Sequence, residues 1–279
     1  MMLIADSGST KTSWGLVNTK NGSVETCQTS GINPLYQDEA TIYRLLQQEF
    51  LTKFPDNVIV FFYGAGCINP QVNNSVVRAL NRFFHPSRSY VDTDLMAAAR
   101  SLCQKNEGIA CILGTGSNSC YYNGREIVRH VSPLGYMLGD EGSGAVIGRK
   151  FMADLLKDQL PAHLGTRFFS AYPLTPHQII EQVYKKPFPN RFLAQFTRFI
   201  HNNLHEKVLS DLVRNSFEEF FVRNIRQYPE AHQMPVHFTG SIAFHFEDLL
   251  RESAELQGFK VGLVTESPLT GLIRFHLYQ

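Results

Sequence analysis

The residues of this chain best suited to chemistry are carboxylates that end apolar runs. Asp6 closes Leu3-Ile4-Ala5 and opens Ser7-Gly8-Ser9-Thr10-Lys11-Thr12. A carboxylate there can hold a hydrated Mg²⁺ against a phosphate, because Mg²⁺ prefers oxygen ligands and keeps its waters. The competing role is a turn aspartate that caps its own backbone. Asp94 follows Ser89-Tyr90-Val91 and opens a helical stretch. Aspartate is a preferred helix N-cap, but ligands of α/β sheets bind at the C-terminal ends of strands. A carboxylate so placed can accept the proton of a substrate hydroxyl during phosphoryl transfer. Asp92 competes for that role and is expected to be the structural member of the pair. Asp140 and Glu141 share the Gly-rich turn Leu138-Gly139-Asp140-Glu141-Gly142-Ser143. They suit helix capping, or hydrogen bonding to polyol hydroxyls, or outer-shell contact with Mg²⁺.

Two glycine turns accompany these acids. Gly8-Ser9-Thr10-Lys11 lies between Leu3–Asp6 and Thr12–Trp14, and Gly114-Thr115-Gly116-Ser117 follows Ile109–Leu113. Each reads as strand, tight turn, strand. Glycine takes positive φ at little cost and lets the backbone approach a ligand, and exposed turn amides with Ser/Thr hydroxyls bind anions. Two such turns point to two related halves facing one polyphosphate. A Walker A loop is absent. Gly142-Ser143-Gly144-Ala145-Val146-Ile147-Gly148-Arg149-Lys150 has the wrong spacing, no Ser/Thr after the lysine and no preceding strand. Its Gly144 and Gly148 fit close helix packing equally well. His201 and His205, four apart on one expected helix, lack the glutamate of the zinc-protease pattern and are expected to face solvent. Phe188, Phe192, Phe196, Phe199, Phe217, Phe220 and Phe221 fit helix packing or an oligomer surface.

The elements that must position these residues alternate strand and helix. Strand-like runs at the start, with Lys20-Asn21-Gly22-Ser23 as a hairpin turn, lead to a helix over 38–53, a buried strand at 58–63, a helix over 71–84, a strand at 89–91 and a helix over 95–104. The pattern then restarts with strands at 109–113, 117–123 and 126–130, where Asn123-Gly124 predicts a type I′ turn. A helix through Lys157, a mostly helical stretch over 160–230, a strand at 236–238, a helix to about Gln257, a strand at 259–264 and a final helix near Pro268 complete it. The expectation is two α/β domains, 1–106 and 107–279, the second carrying a helical insertion at about 160–230, with helix 267–279 free to pack back on the first. The chain has 279 residues, 43% of them hydrophobic, and a net charge of +1. That balance supplies no field for nucleic acid or anionic membrane. The five cysteines form no CxxC pair, which suits reduced thiols in the cytoplasm, and the start resembles neither a signal peptide nor a membrane anchor.

Taken in order, Asp6-Ser7-Gly8-Ser9-Thr10-Lys11-Thr12, Asp92-Thr93-Asp94, Gly114-Thr115-Gly116-Ser117-Asn118, Gly139-Asp140-Glu141-Gly142-Ser143 and Thr239-Gly240-Ser241 resemble the N-acetylglucosamine kinase-like, BadF/BadG/BcrA/BcrD-type ATPase family of the sugar kinase/Hsp70/actin superfamily. The resemblance covers nearly the whole chain. It implies two ribonuclease H-like (actin-like ATPase) domains flanking an interdomain nucleotide cleft. It implies ATP with Mg²⁺ near Asp6, phosphate contacts from Gly8, Ser9, Thr10, Lys11, Gly114, Thr115, Gly116 and Ser117, and nucleotide contacts from Gly240 and Ser241. It further implies Asp94 as catalytic base, and sugar contacts from Asn33, Asp94, Gly135, Asp140 and Glu141. N-acetylglucosamine kinases carry a Gly-Gly-Trp-Gly run where this chain has Ser132-Pro133-Leu134-Gly135. The expected function is an ATP-dependent kinase for an amino sugar such as N-acetylglucosamine, acting on a small molecule in the cytoplasm, as a homodimer if its aromatic helices are an oligomer surface. Two other functions keep the same fold: an ATPase activator of a 2-hydroxyacyl-CoA dehydratase-type redox partner, and a catalytically silent nucleotide sensor. The activators' Lys-Cys-Ala-Ala-Gly-Thr-Gly-Arg motif is absent.

Overall fold

The computed structural model describes residues 1–8, 10–50 and 57–278. The chain divides into two compact units. One comprises Met1–Glu107, Tyr122–Ile127 and Ser267–Gln279, the other Gly108–Tyr121 and Val128–Glu266.

The first unit begins with three strands, β1 (Met2–Ser7), β2 (Lys11–Val17) and β3 (Val24–Ser30), paired antiparallel in sequence. Helix α1 (Glu39–Glu49) is followed by β4 (Ile59–Gly64), α2 (Pro70–Phe84), β5 (Arg88–Thr93) and α3 (Asp94–Cys103). The sheet order is β3-β2-β1-β4-β5, and β1, β4 and β5 run parallel. Their register aligns Ser7 with Gly64 and Gly64 with Thr93, so three strand ends open on one edge. The α1 expectation extended to 53, but residues 51–53 lie outside the described residues. Trp14 fills one face of this sheet, 5.0 Å from Phe50 and 5.7 Å from Phe84 between ring centroids. Its indole N–H donates to Thr29 Oγ1 at 2.9 Å, which satisfies the one polar atom the ring buries.

The second unit repeats the plan. Strands β6 (Glu107–Leu113), β7 (Ser117–Asn123) and β8 (Ile127–Val131) lead to a short α4 (Gly135–Leu138) and to α5 (Gly144–Leu156). Five helices follow, α6 (Ala162–Ala171), α7 (Pro176–Lys185), α8 (Pro189–Ala194), α9 (Thr197–Asn202) and α10 (Lys207–Arg223). Then come β9 (Val236–Thr239), α11 (Ser241–His245), α12 (Glu247–Leu256) and β10 (Val261–Thr265), after which α13 (Leu269–Leu277) returns to the first unit. The sheet order is β10-β9-β6-β7-β8, the same as in the first unit when strands are matched one to one. Helix α13 packs on α3, β1 and β2, with Leu269 and Leu272 buried against Met2 and Ile4. Phe196, Phe199, Phe217, Phe220 and Phe221 lie in the second unit's core, while Phe188 is exposed. Among the described residues no helix is long and apolar enough to cross a membrane.

Three local expectations are corrected. The β7–β8 turn is not type I′, since Gly124 has φ 91° but Asn123 does not have positive φ. Asn123 instead precedes the corner, and its Oδ1 accepts the N–H of Arg125 and Glu126, both at 2.9 Å. His201 and His205 do not share a helix, because α9 ends at Asn202 and Asn203 turns the chain. The single helix expected up to Gln257 is broken at Phe246, a buried ring that joins α11 to α12.

Candidate functional site

In the first unit the parallel register gathers the acids at the strand ends. Asp6 is the penultimate residue of β1, opposite Ser13 of β2 and Tyr63 of β4. Its carboxyl is pushed up to about 7, first by burial and then by the like charge of Asp94, while Lys11 pulls it down. Lys11 of the adjoining turn and Asp94 of the distant α3 thus both bear on Asp6. Asp94 is the first residue of α3 and not its cap. Thr93 is the cap, and its Oγ1 accepts the Met96 N–H at 3.0 Å. Asp94 is thus relieved of the structural duty that its sequence position suggested. Burial raises its carboxyl above the ordinary range, against the lowering effect of the Leu95 N–H and its own. Asp92 accepts the Thr93 N–H at 2.8 Å and lies 3.7 Å from Arg100, the structural place expected for it.

The first glycine turn closes through the Gly8 N–H, which donates to the Lys11 carbonyl at 3.0 Å. Ser7 Oγ bonds to Thr12 Oγ1 at 2.7 Å and to both backbone groups of Ile32, so the turn is fastened to the segment that carries Asn33. Asn33 lies against Gly66 in the loop after β4, and a side chain at Gly66 would collide with its amide. Thr10 and Lys11 are exposed. Ser9 lies outside the described residues.

In the second unit three Gly-rich turns meet. The Gly114 N–H donates to the Gly116 carbonyl at 2.9 Å. The carbonyls of Gly114 and Thr115 accept from Gly144 and Ala145, the first amides of α5, at 2.8 and 3.1 Å. The second turn is thereby pinned to α5 by its oxygens, and among the described residues the amides of Thr115 and Gly116 have no such bond. Gly240 has φ 118°, and a Cβ there would strike the Leu113 carbonyl, so the β9–α11 turn lies directly on the start of the Gly114 turn. Ser241 opens α11. Asp140 accepts the backbone N–H of Ser117 and of Gly135; its carboxyl is pushed up to about 6, mainly by burial, with Glu141 adding to the rise. Glu141 points elsewhere. Its Oε1 lies 2.9 Å from Arg223 Nε, and its Oε2 accepts from Asn224 Nδ2 at 3.2 Å, which ties the end of α10 to this turn. Gly144 and Gly148 are packing glycines: at Gly148 a Cβ would strike the Leu193 carbonyl of α8.

The expectation that the phosphate-turn glycines exploit positive φ fails at Gly8, Gly114 and Gly116, none of which has it. A Cβ at Gly8 would meet only the Lys11 carbonyl at 3.8 Å, and one at Gly114 would meet nothing within 4 Å. The fold makes no demand for glycine at either position. What the missing side chains leave is bare backbone, which is what close approach of a phosphate requires. Among the described residues no group of three or more His, Cys, Asp or Glu could hold a metal ion. A cation at Asp6 would therefore draw its other ligands from water and phosphate, as Mg²⁺ commonly does, and it would relieve the repulsion that raises the Asp6 carboxyl. Sequence reasoning missed Arg100, Tyr63, His276 and Cys67 around Asp92 and Asp94. Burial pushes the Cys67 thiol up to about 12, with the two aspartates adding to the rise. No motif spacing could have found residues drawn from a strand, a loop and two helices.

No family model and no curated protein matches this chain. Among solved structures, a "Putative N-acetylglucosamine Kinase" from Porphyromonas gingivalis is 47% identical, over 100% of this chain and 99% of that one, with a TM-score of 0.94. A second protein of that name, from Chromobacterium violaceum, is 17% identical over 99% of each chain, with a TM-score of 0.75. The ethanolamine utilization protein EutJ from Carboxydothermus hydrogenoformans is 13% identical over 100% of this chain and 89% of that one, with a TM-score of 0.58. These last two bear on the fold alone, and the fold is that of the two-domain actin-like ATPases. Nearly half of its residues are shared end to end with the Porphyromonas protein, and the chain belongs to the N-acetylglucosamine kinase-like family of the sugar kinase/Hsp70/actin superfamily.

Proposed function

We propose that this chain is an ATP-dependent kinase that transfers the γ-phosphate of ATP to a hydroxyl of an amino sugar such as N-acetylglucosamine. The observation that carries the proposal is Asp94, a carboxyl at a strand end that caps nothing and whose proton affinity is raised by burial. A base for an alcohol must bind the alcohol's proton as the oxygen attacks, and a raised carboxyl does so better than a solvated one. The 47% identity to the "Putative N-acetylglucosamine Kinase" from Porphyromonas gingivalis supports the choice of acceptor.

In the proposed reaction, Asp94 takes the proton of the sugar hydroxyl while that oxygen bonds to the γ-phosphorus. The bond from the γ-phosphorus to the bridging oxygen breaks, and ADP leaves with that oxygen. Phosphate contacts are assigned to the Gly8–Lys11 turn and to the free amides of Thr115 and Gly116. Gly240 and Ser241 are assigned to the nucleotide. Bound Mg²⁺ would neutralise phosphate charge, and Asp6 is the residue that would hold it, through water. Asn33, Gly135 and Asp140 are assigned to the sugar. Asp140 retains acceptor capacity beyond its two backbone bonds, whereas both oxygens of Glu141 are occupied.

The test is ADP release coupled to a screen of hexoses, hexosamines and N-acetylhexosamines. The expected result is Mg²⁺-dependent ADP release that rises with an amino sugar and yields its phosphate ester. ATP binding without turnover on any sugar would make the chain a nucleotide sensor instead.

A further inference from the structure

Four side chains from four elements meet beside the start of α3. Arg100 of α3 donates through Nη1 to the Tyr63 hydroxyl of β4 at 2.7 Å. That hydroxyl lies 2.8 Å from Nε2 of His276 on α13. Arg100 also lies 3.7 Å from Asp92 of β5, and its guanidinium sits over the rings of Phe275 and Tyr63 at 5.3 and 5.7 Å. Tyr63 and His276 are buried. Since Arg100 supplies a proton to the hydroxyl, the hydroxyl's own proton is assigned to His276 Nε2, the arrangement in which each proton finds an acceptor. This requires a neutral imidazole. Burial and the Arg100 charge push His276 down to about 4 and keep it so.

The Asp92 end of this chain of bonds reaches the site. Asp92 Oδ1 accepts the Thr93 N–H, Thr93 caps α3, and Asp94 follows. The Asp94 carboxyl is shifted by burial and by the N–H groups of Leu95 and Asp94 itself, not by the charge of Arg100. Whatever the four residues do for Asp94, they do by placement. Arg100 Nε is buried with no hydrogen-bond partner among the described residues, so both polar contacts of the guanidinium pass through Nη1, beside its stacking on Phe275 and Tyr63. Loss of the Tyr63 hydroxyl contact would leave Nη1 only the longer Asp92 contact.

We propose that His276, Tyr63 and Arg100 form a positioning relay that, through Asp92, fixes the direction in which α3 leaves β5 and so aims Asp94. The proposal rests on Asp94 being the base of the kinase reaction. A residue from the C-terminal helix would then set the geometry of a base at the end of β5.

Two substitutions at His276 separate the hydrogen bond from the packing. His276 stacks on Phe61 with ring centroids 3.8 Å apart. His276→Phe keeps a ring there and removes the acceptor. His276→Gln removes the ring and keeps an acceptor for Tyr63. Amide hydrogen exchange over residues 92–97 and sugar-dependent kcat are measured on both. The relay predicts that His276→Phe speeds exchange about tenfold and lowers kcat about tenfold with the KM for ATP unchanged, because small misplacement of a catalytic group costs rate. His276→Gln should stay within about twofold of the parent in both measurements. A His276→Phe protein indistinguishable from the parent, or a His276→Gln protein damaged as badly, would show that packing and not the bond matters and would overturn the relay. Faster exchange in His276→Phe with unchanged kcat would overturn its positioning role. A parent protein with no sugar-dependent turnover would sink the kinase proposal instead, and the order of the exchange rates would still decide whether the relay holds the β5–α3 junction.

Discussion

Gly240 sits at φ 118°, with the Leu113 carbonyl where a Cβ would be, while Gly8 and Gly114 have ordinary backbone and open space. The three glycines occupy similar turns for different physical reasons. Gly240→Ala adds strain and a clash with backbone, and should cost about 2 kcal/mol or more of stability, read as the shift of a denaturant midpoint. Gly8→Val should fold with near-parental stability yet lose about 2 kcal/mol of ATP affinity, roughly thirtyfold, in a calorimetric titration. Unchanged ATP affinity in folded Gly8→Val would remove that turn from the phosphate site. Asp6 gives a prediction with a pH sign. Folded, its carboxyl holds a proton up to about pH 7, against 3.8 as the ordinary value. Between those values the folded state binds more protons than the unfolded state, so the Asp6 contribution to stability falls as pH rises from about 4 to 7. Asp6→Asn should therefore be more stable than the parent at pH 8, by up to about 4 kcal/mol, and the gain should vanish near pH 4. A gain that persists at pH 4 would assign it to packing. The same variant should lose Mg²⁺-dependent ATP binding, the usual exchange of stability for function at a charged site.

At the scale of elements, α5 shows how a glycine reading resolves. Gly148 lets α5 approach the Leu193 carbonyl of α8. Gly148→Ala should push the helices apart and cost about 2 kcal/mol. It lies outside the turns assigned to ligand, so the KM for ATP should hold in the folded fraction, and thermal melts with steady-state kinetics check both. The order of strands and helices was legible because apolar runs, turn residues and helical spacing all agree at β1, β4, α2, α3 and β6. The position of the two Gly-rich turns after β1 and β6, and of Asp94 just after β5, was legible for the same reason. Legibility failed where a side chain from elsewhere decides the outcome. Asn123 reads as a type I′ residue until its carboxamide takes two N–H groups and moves the corner. Asp94 reads as a cap, but the Thr93 hydroxyl accepts the Met96 amide and takes that place. Glu141 reads as a partner of Asp140, yet Arg223 and Asn224 hold it. His276 carries no sequence signal for Asp92, because the link passes through Tyr63 and Arg100.

For the whole molecule, two units share one sheet order, and each carries Gly-rich turns and raised aspartates, Asp6 and Asp94 in the first and Asp140 in the second. The activator function needs an iron–sulfur cluster held by cysteine thiolates. Among the described residues Cys27 is exposed, while Cys67, Cys103, Cys111 and Cys120 are buried. A pair of chains would thus offer two accessible thiols, fewer than a four-thiolate cluster takes. The kinase proposal depends on a proton moving from a sugar hydroxyl to one named carboxylate. The most direct test is sugar-dependent kcat of Asp94→Asn beside Asp92→Asn, with ATP affinity measured on both. Asparagine nearly matches aspartate in shape, and Thr93 keeps capping α3, so both proteins should fold. The proposal predicts that Asp94→Asn lowers kcat by roughly 10²–10⁴ while ATP affinity holds, and that Asp92→Asn costs mainly stability. Normal turnover by Asp94→Asn, with or without a dead Asp92→Asn, would contradict it.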